Sequence, residues 1–231
     1  MLLNKFCSLL LLLLLACQPS TPSYENFLLP TAEIRYQERS RELRAIVQLR
    51  QGDSLASSTT YEAATGSVSF LGSPMMDQLS TAAGQRWQAT RKIDWPAELY
   101  FSLPQPDFKN GDERFDLRFA MAPPTADSIP AIIDRAQGAR FKFSNQALAA
   151  NESLLLFFET RAWNPGVKRV LLAGPTNSAF FNLPAATIQE LPAGNYEVYL
   201  VKQALVRDSL AQLKTSTQIE YFTRSRSVEV R

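Results

Sequence analysis

The densest group of side chains that could coordinate a cation lies between residues 107 and 116. Calcium binds six to eight oxygen atoms, and carboxylate and amide oxygens are its usual protein ligands. The calcium candidate here consists of Asp107, Asn110, Asp112 and Asp116. Its spacing does not match an EF-hand, and the Asn-Gly pair within it favours a type I′ hairpin turn with solvated charges around it. We therefore predict a hairpin and no metal, with calcium as the alternative.

The three tryptophans are the side chains best suited to stack on a sugar ring. Trp95 precedes Pro96, and Trp163 precedes a Pro-Gly turn, so both flank turn signals where binding loops lie. Trp163 is the first candidate for ligand contact, followed by Trp95 and Trp87. The alternative is burial in a core or between domains, because tryptophan buries a large area wherever it can.

Several kinds of catalysis lack the side chains that they need. The chain has no histidine, and its two cysteines are Cys7 and Cys17. A triad with a histidine base and the usual zinc sites are therefore excluded. A hydrolase that uses two carboxylates remains an alternative, although the sequence selects no pair. Single acids near proposed turns are Glu25, Asp53, Glu62, Asp94, Glu98, Asp134 and Glu152.

The charge balance gives no support for binding to nucleic acid. The formal net charge is +2 at pH 7, and there is no long run of basic residues. Phosphate backbones are bound through clustered positive charge, which composition does not indicate here. We predict a protein that is not an enzyme, needs no cofactor and does not bind nucleic acid.

The N-terminal stretch has the features of a secretory signal. Lys5 supplies positive charge before the apolar run from Phe6 to Leu15. That run is too short to cross a membrane, because a transmembrane helix needs about 20 apolar residues. A polar stretch rich in proline, serine and threonine follows directly after Cys17.

The sequence Leu14-Leu15-Ala16-Cys17 resembles the lipobox of bacterial lipoproteins, in which an aliphatic residue, one further residue and a small residue precede cysteine. The resemblance implies that residues 1–16 are a signal peptide and that Cys17 carries diacylglycerol, with a further acyl chain such as palmitate on its amino group. Gln18 stands where the inner-membrane retention signal has aspartate, which implies the outer membrane. The alternative is an ordinary signal peptide cut at another small residue nearby.

Residues 17–29 are predicted to be the lipidated cysteine and its tether, because proline favours an extended chain and serine and threonine stay solvated. Two β-sandwich domains in tandem are predicted after it, at residues 30–122 and 125–231. Apolar and polar residues alternate from Phe115 to Met121, as expected for a half-buried strand. Two consecutive prolines after Ala122 mark the boundary. Residues 131–135 are predicted as an entry segment with one helical turn.

The second predicted domain contains the most specific local pattern. Leu191, Gly194 and Tyr196 open an alternating strand and resemble the tyrosine corner of immunoglobulin-like domains. The resemblance implies an immunoglobulin-like β-sandwich with a structural role for these three residues. The segment from Ala204 to Lys214 stays open between a helix and a long ribbon of two strands. The apolar run from Leu154 to Phe158 predicts a central strand covered on both faces.

The sequence therefore predicts an all-β protein of the cell envelope, attached to a membrane by lipid on Cys17. Its expected role is a non-catalytic binding or assembly module with an envelope protein as partner. A surface glycan-binding lipoprotein of a polysaccharide uptake system is the alternative, and a carboxylate-based hydrolase is the lesser alternative. An assembly module should present an open strand edge, for which the sequence suggests Gln218–Arg231.

Overall fold

The computed structural model shows a chain built almost entirely of β-strands, which confirms the predicted all-β class. It describes residues 27–52, 54, 58–60, 68–81, 84–104, 114–160, 167–210 and 213–231. The predicted signal peptide, Cys17 and most of the tether lie outside these residues.

Two groups of strands lie on either side of Ala122. The first group is β1 (Phe27–Gln37), β2 (Glu42–Gly52), β3 (Thr59–Thr60), β4 (Ser69–Phe70), β5 (Ser73–Pro74), β6 (Met76–Thr81), β7 (Gly84–Lys92), β8 (Leu99–Pro104) and β9 (Arg114–Phe119). The second group, with one helix, is β10 (Ile132–Ile133), β11 (Ala139–Lys142), β12 (Glu152–Thr160), β13 (Val167–Ala173), β14 (Phe180–Leu183), α1 (Ala185–Gln189), β15 (Gly194–Leu210), β16 (Leu213–Phe222) and β17 (Arg226–Val230).

One large sheet contains strands from both groups, in the order β10-β17-β15-β16-β1-β2-β7-β6. β12 pairs with β15 and carries β13 on its other side, and β3 adds to β2. A four-stranded sheet, β5-β4-β8-β9, and a two-stranded sheet, β11-β14, complete the described pairing. The large sheet therefore passes through the predicted boundary between the two domains.

The first core lies between the large sheet and the four-stranded sheet. Inward side chains of β2 and β7, such as Val47 and Trp87, face Phe70 and Phe101 from β4 and β8. All four are completely buried. The rings of Phe70 and Phe101 contact each other with centroids 4.8 Å apart. The alternation that predicts β9 appears here, since Leu117 and Phe119 are buried in this core.

The second core lies between the large sheet and the two-stranded sheet. Leu156 and Val198 from β12 and β15 pack against Phe141 and Phe181 from β11 and β14. The two phenylalanine rings are stacked with centroids 5.4 Å apart. Helix α1 adds Ile188, which is completely buried. The first core is not confined to the first half of the chain, because Leu213 and Ile219 of β16 are also buried in it.

Strands β15 and β16 form a long ribbon that joins the two cores. The described residues of the segment from Ala204 to Lys214 lie in β15 and β16, so they adopt the ribbon and not the helix. Burial follows the two-residue alternation of a strand, since Ala204 is buried and Leu205 is 42% exposed. β15 contributes Val198 to the second core and Ala204 to the first.

Three other sequence predictions are corrected. Residues 132 and 133 form β10, where a helical turn was expected, because two β-branched isoleucines pair in parallel with β17. The run from Leu154 to Phe158 is central, but Leu155 and Phe157 face away from the core and are partly exposed. The final strands are not open edges, since β16 lies between β15 and β1 and β17 lies between β15 and β10.

A buried ion pair lies where the two cores meet. Lys202 on β15 is 1% exposed, and its Nζ lies 2.8 Å from Glu152 Oε1. The same ammonium donates to the carbonyl oxygen of Ala122 at 3.0 Å. Lys202 therefore links the ribbon to the segment that connects the two halves of the chain.

Candidate functional site

An open cleft lies where the turn between β1 and β2 meets the outer face of β12 and β15, the face turned away from the second core. Its volume is about 440 Å³. Its walls come from separate segments of the sequence. The lining residues are Gln37, Glu38, Arg39, Glu159, Glu197, Tyr199, Phe222, Thr223 and Ser225.

Two glutamates line the cleft because β12 and β15 are in register there. Glu159 and Glu197 lie directly opposite each other across the antiparallel pair, and such side chains begin only about 5 Å apart. The Tyr199 hydroxyl donates to Glu159 Oε1 at 2.7 Å, and the Ser227 hydroxyl donates to Glu197 Oε1 at 2.7 Å. These hydrogen bonds orient the two carboxylates and partly offset the repulsion between like charges placed directly opposite each other.

An aromatic pair lies beside the glutamates on the same face of the sheet. Phe157 and Tyr199 are opposite each other in the register, and their rings are stacked with centroids 4.9 Å apart. Burial, together with the hydrogen bond to Glu159, raises the pKa of Tyr199. The phenol therefore remains protonated at neutral pH and keeps donating to the carboxylate.

The turn between β1 and β2 forms the opposite wall. Glu38 accepts the backbone N–H of Arg224 at 2.9 Å, which fixes the turn against the end of β16. Arg39 lies beside it in the cleft. The described lining thus carries three carboxylates and one guanidinium, and the guanidinium of Arg224 also lies 4.0 Å from Glu38 Oε1.

The arrangement suits a ligand that carries many hydroxyl groups. An aromatic ring can pack against the C–H face of a sugar, while carboxylates accept hydrogen bonds from its hydroxyls. Two neighbouring carboxylates are also the starting point for hydrolysis of glycosidic bonds. Within the described residues, no group of three or more acids, cysteines or histidines could hold a metal.

Sequence reasoning did not select the cleft residues. Glu159 and Tyr199 are 40 positions apart, and Glu38 is more than 100 positions from either. One indication of the site was present in the sequence. Glu159 follows the apolar run from Leu154 to Phe158 and stands two residues after Phe157, the spacing of side chains that share a face of a strand. That spacing places both side chains on one face, but the partner strand that completes the site is not readable from the chain.

The described tryptophans pack into the first core. Trp87 is completely buried, so it has no surface with which to contact a ligand, and its indole N–H has no hydrogen-bond partner within the described residues. Trp95 contacts the edges of Tyr36 and Tyr221 and donates its N–H to the Met121 carbonyl at 3.0 Å. Trp163 lies outside the described residues, and its contact with a ligand stays a prediction.

The calcium candidate lies mostly outside the described residues, which do not include Asp107, Asn110 and Asp112. Asp116 is on β9 with its side chain exposed, and its carboxylate lies 3.4 Å from the guanidinium of Arg118. The same guanidinium also pairs with Glu98, and the predicted hairpin turn lies outside the described residues.

Gly194 and Tyr196 lie at the start of β15, and Leu191 precedes that strand. The Tyr196 hydroxyl donates to the carbonyl oxygen of Pro192 at 2.8 Å, four residues upstream. The acceptor is thus a main-chain oxygen of the segment that leads into β15. Leu191 is buried in the second core, and Gly194 has a φ of 154° with open space around the position of a Cβ.

The single acids serve structural contacts where the structure describes them. Asp94 pairs with Arg41, and Glu98 pairs with Arg118. Asp134 accepts the backbone N–H of Ala136 at 2.7 Å, and Glu152 is the partner of buried Lys202. Glu25, Asp53 and Glu62 lie outside the described residues.

The comparisons with known proteins give no relationship for this chain: no family model and no curated protein matches its sequence. Among the helices in the described part of the chain, none has the length and hydropathy needed to cross a bilayer.

Proposed function

We propose that this protein is a lipid-anchored protein of the bacterial cell envelope that acts as a non-catalytic binding module for an envelope protein. The observation that carries the anchoring is the sequence Leu14-Leu15-Ala16-Cys17 at the end of an apolar run, followed by a polar tether. Two or more acyl chains bind a membrane far more firmly than one, because each buried CH₂ contributes about 0.8 kcal/mol. Gln18 favours the outer membrane.

The fold supports a role in binding. The order β17-β15-β12-β13 opposite β11-β14, with a tyrosine corner at the start of β15, resembles the arrangement of an immunoglobulin-like sandwich. We infer that the second half is such a domain and that the first half is a second sandwich. An open strand edge in such a sheet offers backbone groups to which a strand of a partner can pair.

Metabolic labelling with an alkyne analogue of palmitate tests the anchoring. In a two-membrane bacterium that expresses the full chain, the protein should be labelled and should sediment with outer membranes. Cys17→Ser should lose the label and should no longer sediment with outer membranes. Cys7→Ser is the matched control, since the other cysteine lies inside the proposed signal peptide, and it should be labelled normally. A labelled Cys17→Ser protein would refute the proposal.

Glycan binding is the second candidate function, and the cleft is the observation that favours it. The stacked pair of Phe157 and Tyr199 beside two oriented carboxylates offers both a ring face and hydrogen-bond acceptors. If the cleft binds sugar, Tyr199→Ala should weaken the interaction with a neutral oligosaccharide by about tenfold or more, which corresponds to the loss of one good contact.

Isothermal titration against a panel of neutral oligosaccharides provides the measurement. Tyr100→Ala on β8 is a control for the loss of a tyrosine outside the cleft, and Trp163→Ala tests the tryptophan that the sequence favours. Equal affinity of the wild-type protein and Tyr199→Ala would remove the cleft from consideration.

A further inference from the structure

Strand β13 is an edge of the large sheet. Among the described strands it pairs only with β12, in an unbroken antiparallel register from Ser153 opposite Ala173 to Glu159 opposite Val167. An edge strand presents a row of backbone donors and acceptors to which another strand can bind.

The backbone groups on the open side of β13 can be assigned from neighbouring hydrogen bonds. The N–H of Gly174 donates to the Glu152 carbonyl at 2.9 Å, so it points toward β12. Direction alternates along a strand, and the N–H and carbonyl groups of Arg169 and Leu171 therefore point outward. The same alternation holds in the neighbouring strand. The Asn151 carbonyl, just before β12, accepts the N–H of Leu205 and so points toward β15, whereas the Glu152 carbonyl points toward β13.

The side chains of β13 are apolar on both faces near its end. Leu171 is 61% exposed on the outer face, where it lies opposite Leu155. Val170 and Leu172 are partly buried at the rim of the second core. An added strand would therefore cover apolar surface on both faces of the sheet, in addition to forming backbone hydrogen bonds.

The other long edges of the described sheets are more strongly protected than β13, whose two charged residues, Lys168 and Arg169, both lie near its start. β6 has an irregular register between Gln78 and Thr81, which interrupts a regular edge. β9 presents exposed charged side chains, namely Arg114, Asp116 and Arg118. β13 contains no proline, glycine or bulge, and its last four residues are apolar.

The charges on β13 indicate what kind of strand fits. The strand contains Lys168 and Arg169 but no acid. Lys168 forms an ion pair with Glu190, whereas exposed Arg169 has no carboxylate partner within the described residues. Its guanidinium lies on the same outer face as Leu171, two residues away. A cation at this position favours an acidic residue on an incoming strand.

A second copy of this chain does not satisfy these charges. Antiparallel self-pairing centred on Val170 would place each Arg169 opposite a Leu171, with no carboxylate on either strand. Pairing centred on Arg169 would place two guanidinium groups opposite each other, which is unfavourable.

We infer that β13 binds an extended segment of a partner protein as an additional strand, with an apolar residue opposite Leu171 and an acidic residue opposite Arg169, two positions away. The inference rests on the proposed function, and it names the surface and the kind of segment through which the binding module would act. The neighbouring residues of the partner, which face Val170 and Leu172, should be aliphatic.

Fluorescent nine-residue peptides test this inference with the full-length, lipidated protein in detergent micelles. One set has an acidic residue two positions from a leucine in an otherwise Val/Thr-rich sequence, and a matched set has lysine in place of the acid. The acidic set should bind, and the lysine set should bind at least about tenfold more weakly. Arg169→Glu should reverse this preference.

Leu171→Pro removes an outward N–H without breaking a bond to β12, so the folded state should persist while affinity for the acidic peptide falls about tenfold or more. Leu171→Thr keeps the N–H and should lose less affinity. Met76→Thr on the β6 edge, where Met76 is 73% exposed, is the control and should bind normally. Circular dichroism and urea unfolding confirm that each variant folds.

Hydrogen exchange gives a second readout. The peptide should slow exchange of the Arg169 and Leu171 amides while leaving Val170 and Leu172, already bonded to β12, unchanged. Equal binding of acidic and lysine peptides, or full affinity in Leu171→Pro, would overturn the inference, as would dimers of the chain that Leu171→Pro abolishes. Palmitate labelling separates the proposed lipid anchor from the proposed strand addition at β13. If the protein carries no lipid but still binds the acidic peptide, only the lipid anchor is refuted.

Discussion

Lys202 is an ammonium group that is buried between the two cores and bonded to both Glu152 and the Ala122 carbonyl. Its charge is compensated by the Glu152 carboxylate, 2.8 Å away. Lys202→Ala is expected to lower the free energy of unfolding by about 3–5 kcal/mol, because the Glu152 carboxylate would remain buried without its partner. Urea unfolding measures the change.

Lys142→Ala is the control for this substitution. Lys142 is exposed on β11 and donates to Asn145 Oδ1 at 3.0 Å, so its loss should change stability by less than about 0.5 kcal/mol. Equal effects of the two substitutions would show that the buried pair does not stabilise the junction.

Four tyrosines have pKa values raised above the ordinary 10.0, in each case chiefly by burial. They are Tyr36, Tyr196, Tyr199 and Tyr221. The folded protein therefore retains these phenol protons to higher pH than the unfolded chain does, and folding loses free energy as pH rises above about 10. The urea midpoint should stay level up to about pH 9 and then fall. Tyr199→Phe should reduce the alkaline decline; an unchanged decline would contradict the assigned role of burial.

At the scale of elements, the turn before β11 depends on Gly138. Its φ is +74°, and a Cβ there would lie 2.3 Å from the Leu183 carbonyl oxygen and 2.8 Å from the Ala185 nitrogen. Gly138→Ala should destabilise the protein by about 1–3 kcal/mol, because the turn and the junction between β14 and α1 must separate. Thermal unfolding provides the measurement. Ala136→Gly in the same exposed turn should cost less than about 1 kcal/mol, and a larger loss there than at Gly138 would count against this explanation.

How far the elements could be predicted depends on whether their cause is local. The alternation from Phe115 to Met121 predicts β9, because consecutive residues of a strand point to opposite faces and the buried and exposed faces can be identified from one short segment. The hydroxyl contact of Tyr196 is similarly local, since its acceptor is four residues away. Pairing is not local: nothing in Gln218–Arg231 shows that β1 would cover one side of β16 and β10 one side of β17.

The cleft illustrates the same limit for function. Glu159 and Glu197 become neighbours only through the register of β12 with β15, and Glu38 reaches them through the parallel pairing of β1 with β16. Trp87 shows the opposite case, because residue type alone suggested a ligand contact where register places the ring in a core.

At the scale of the whole molecule, β15 makes the two cores one folding unit. The strand contributes Val198 to the second core and Ala204 to the first. If β15 separated from one core, the other core would also lose a strand and become exposed. We therefore expect a single cooperative unfolding transition. Phe101→Ala in the first core and Phe158→Ala in the second should each cost about 3–5 kcal/mol.

Hydrogen exchange followed by mass spectrometry tests this cooperativity. Peptides from both cores should lose protection together in either variant. Two separate transitions, with Phe101→Ala leaving the second core fully protected, would show that the ribbon does not couple the halves.

The position of β1 has a mechanical consequence for a chain held at Cys17. β1 is the first described strand after the proposed tether, and it is paired along its length with β2 on one side and with β16, in parallel, on the other. If a partner pulled on the far end of the molecule, tension would run along β1. The hydrogen bonds on both sides of β1 would then be loaded in shear, so that they would have to break together and not one after another. The fold would resist force best along the line on which an anchored protein is pulled.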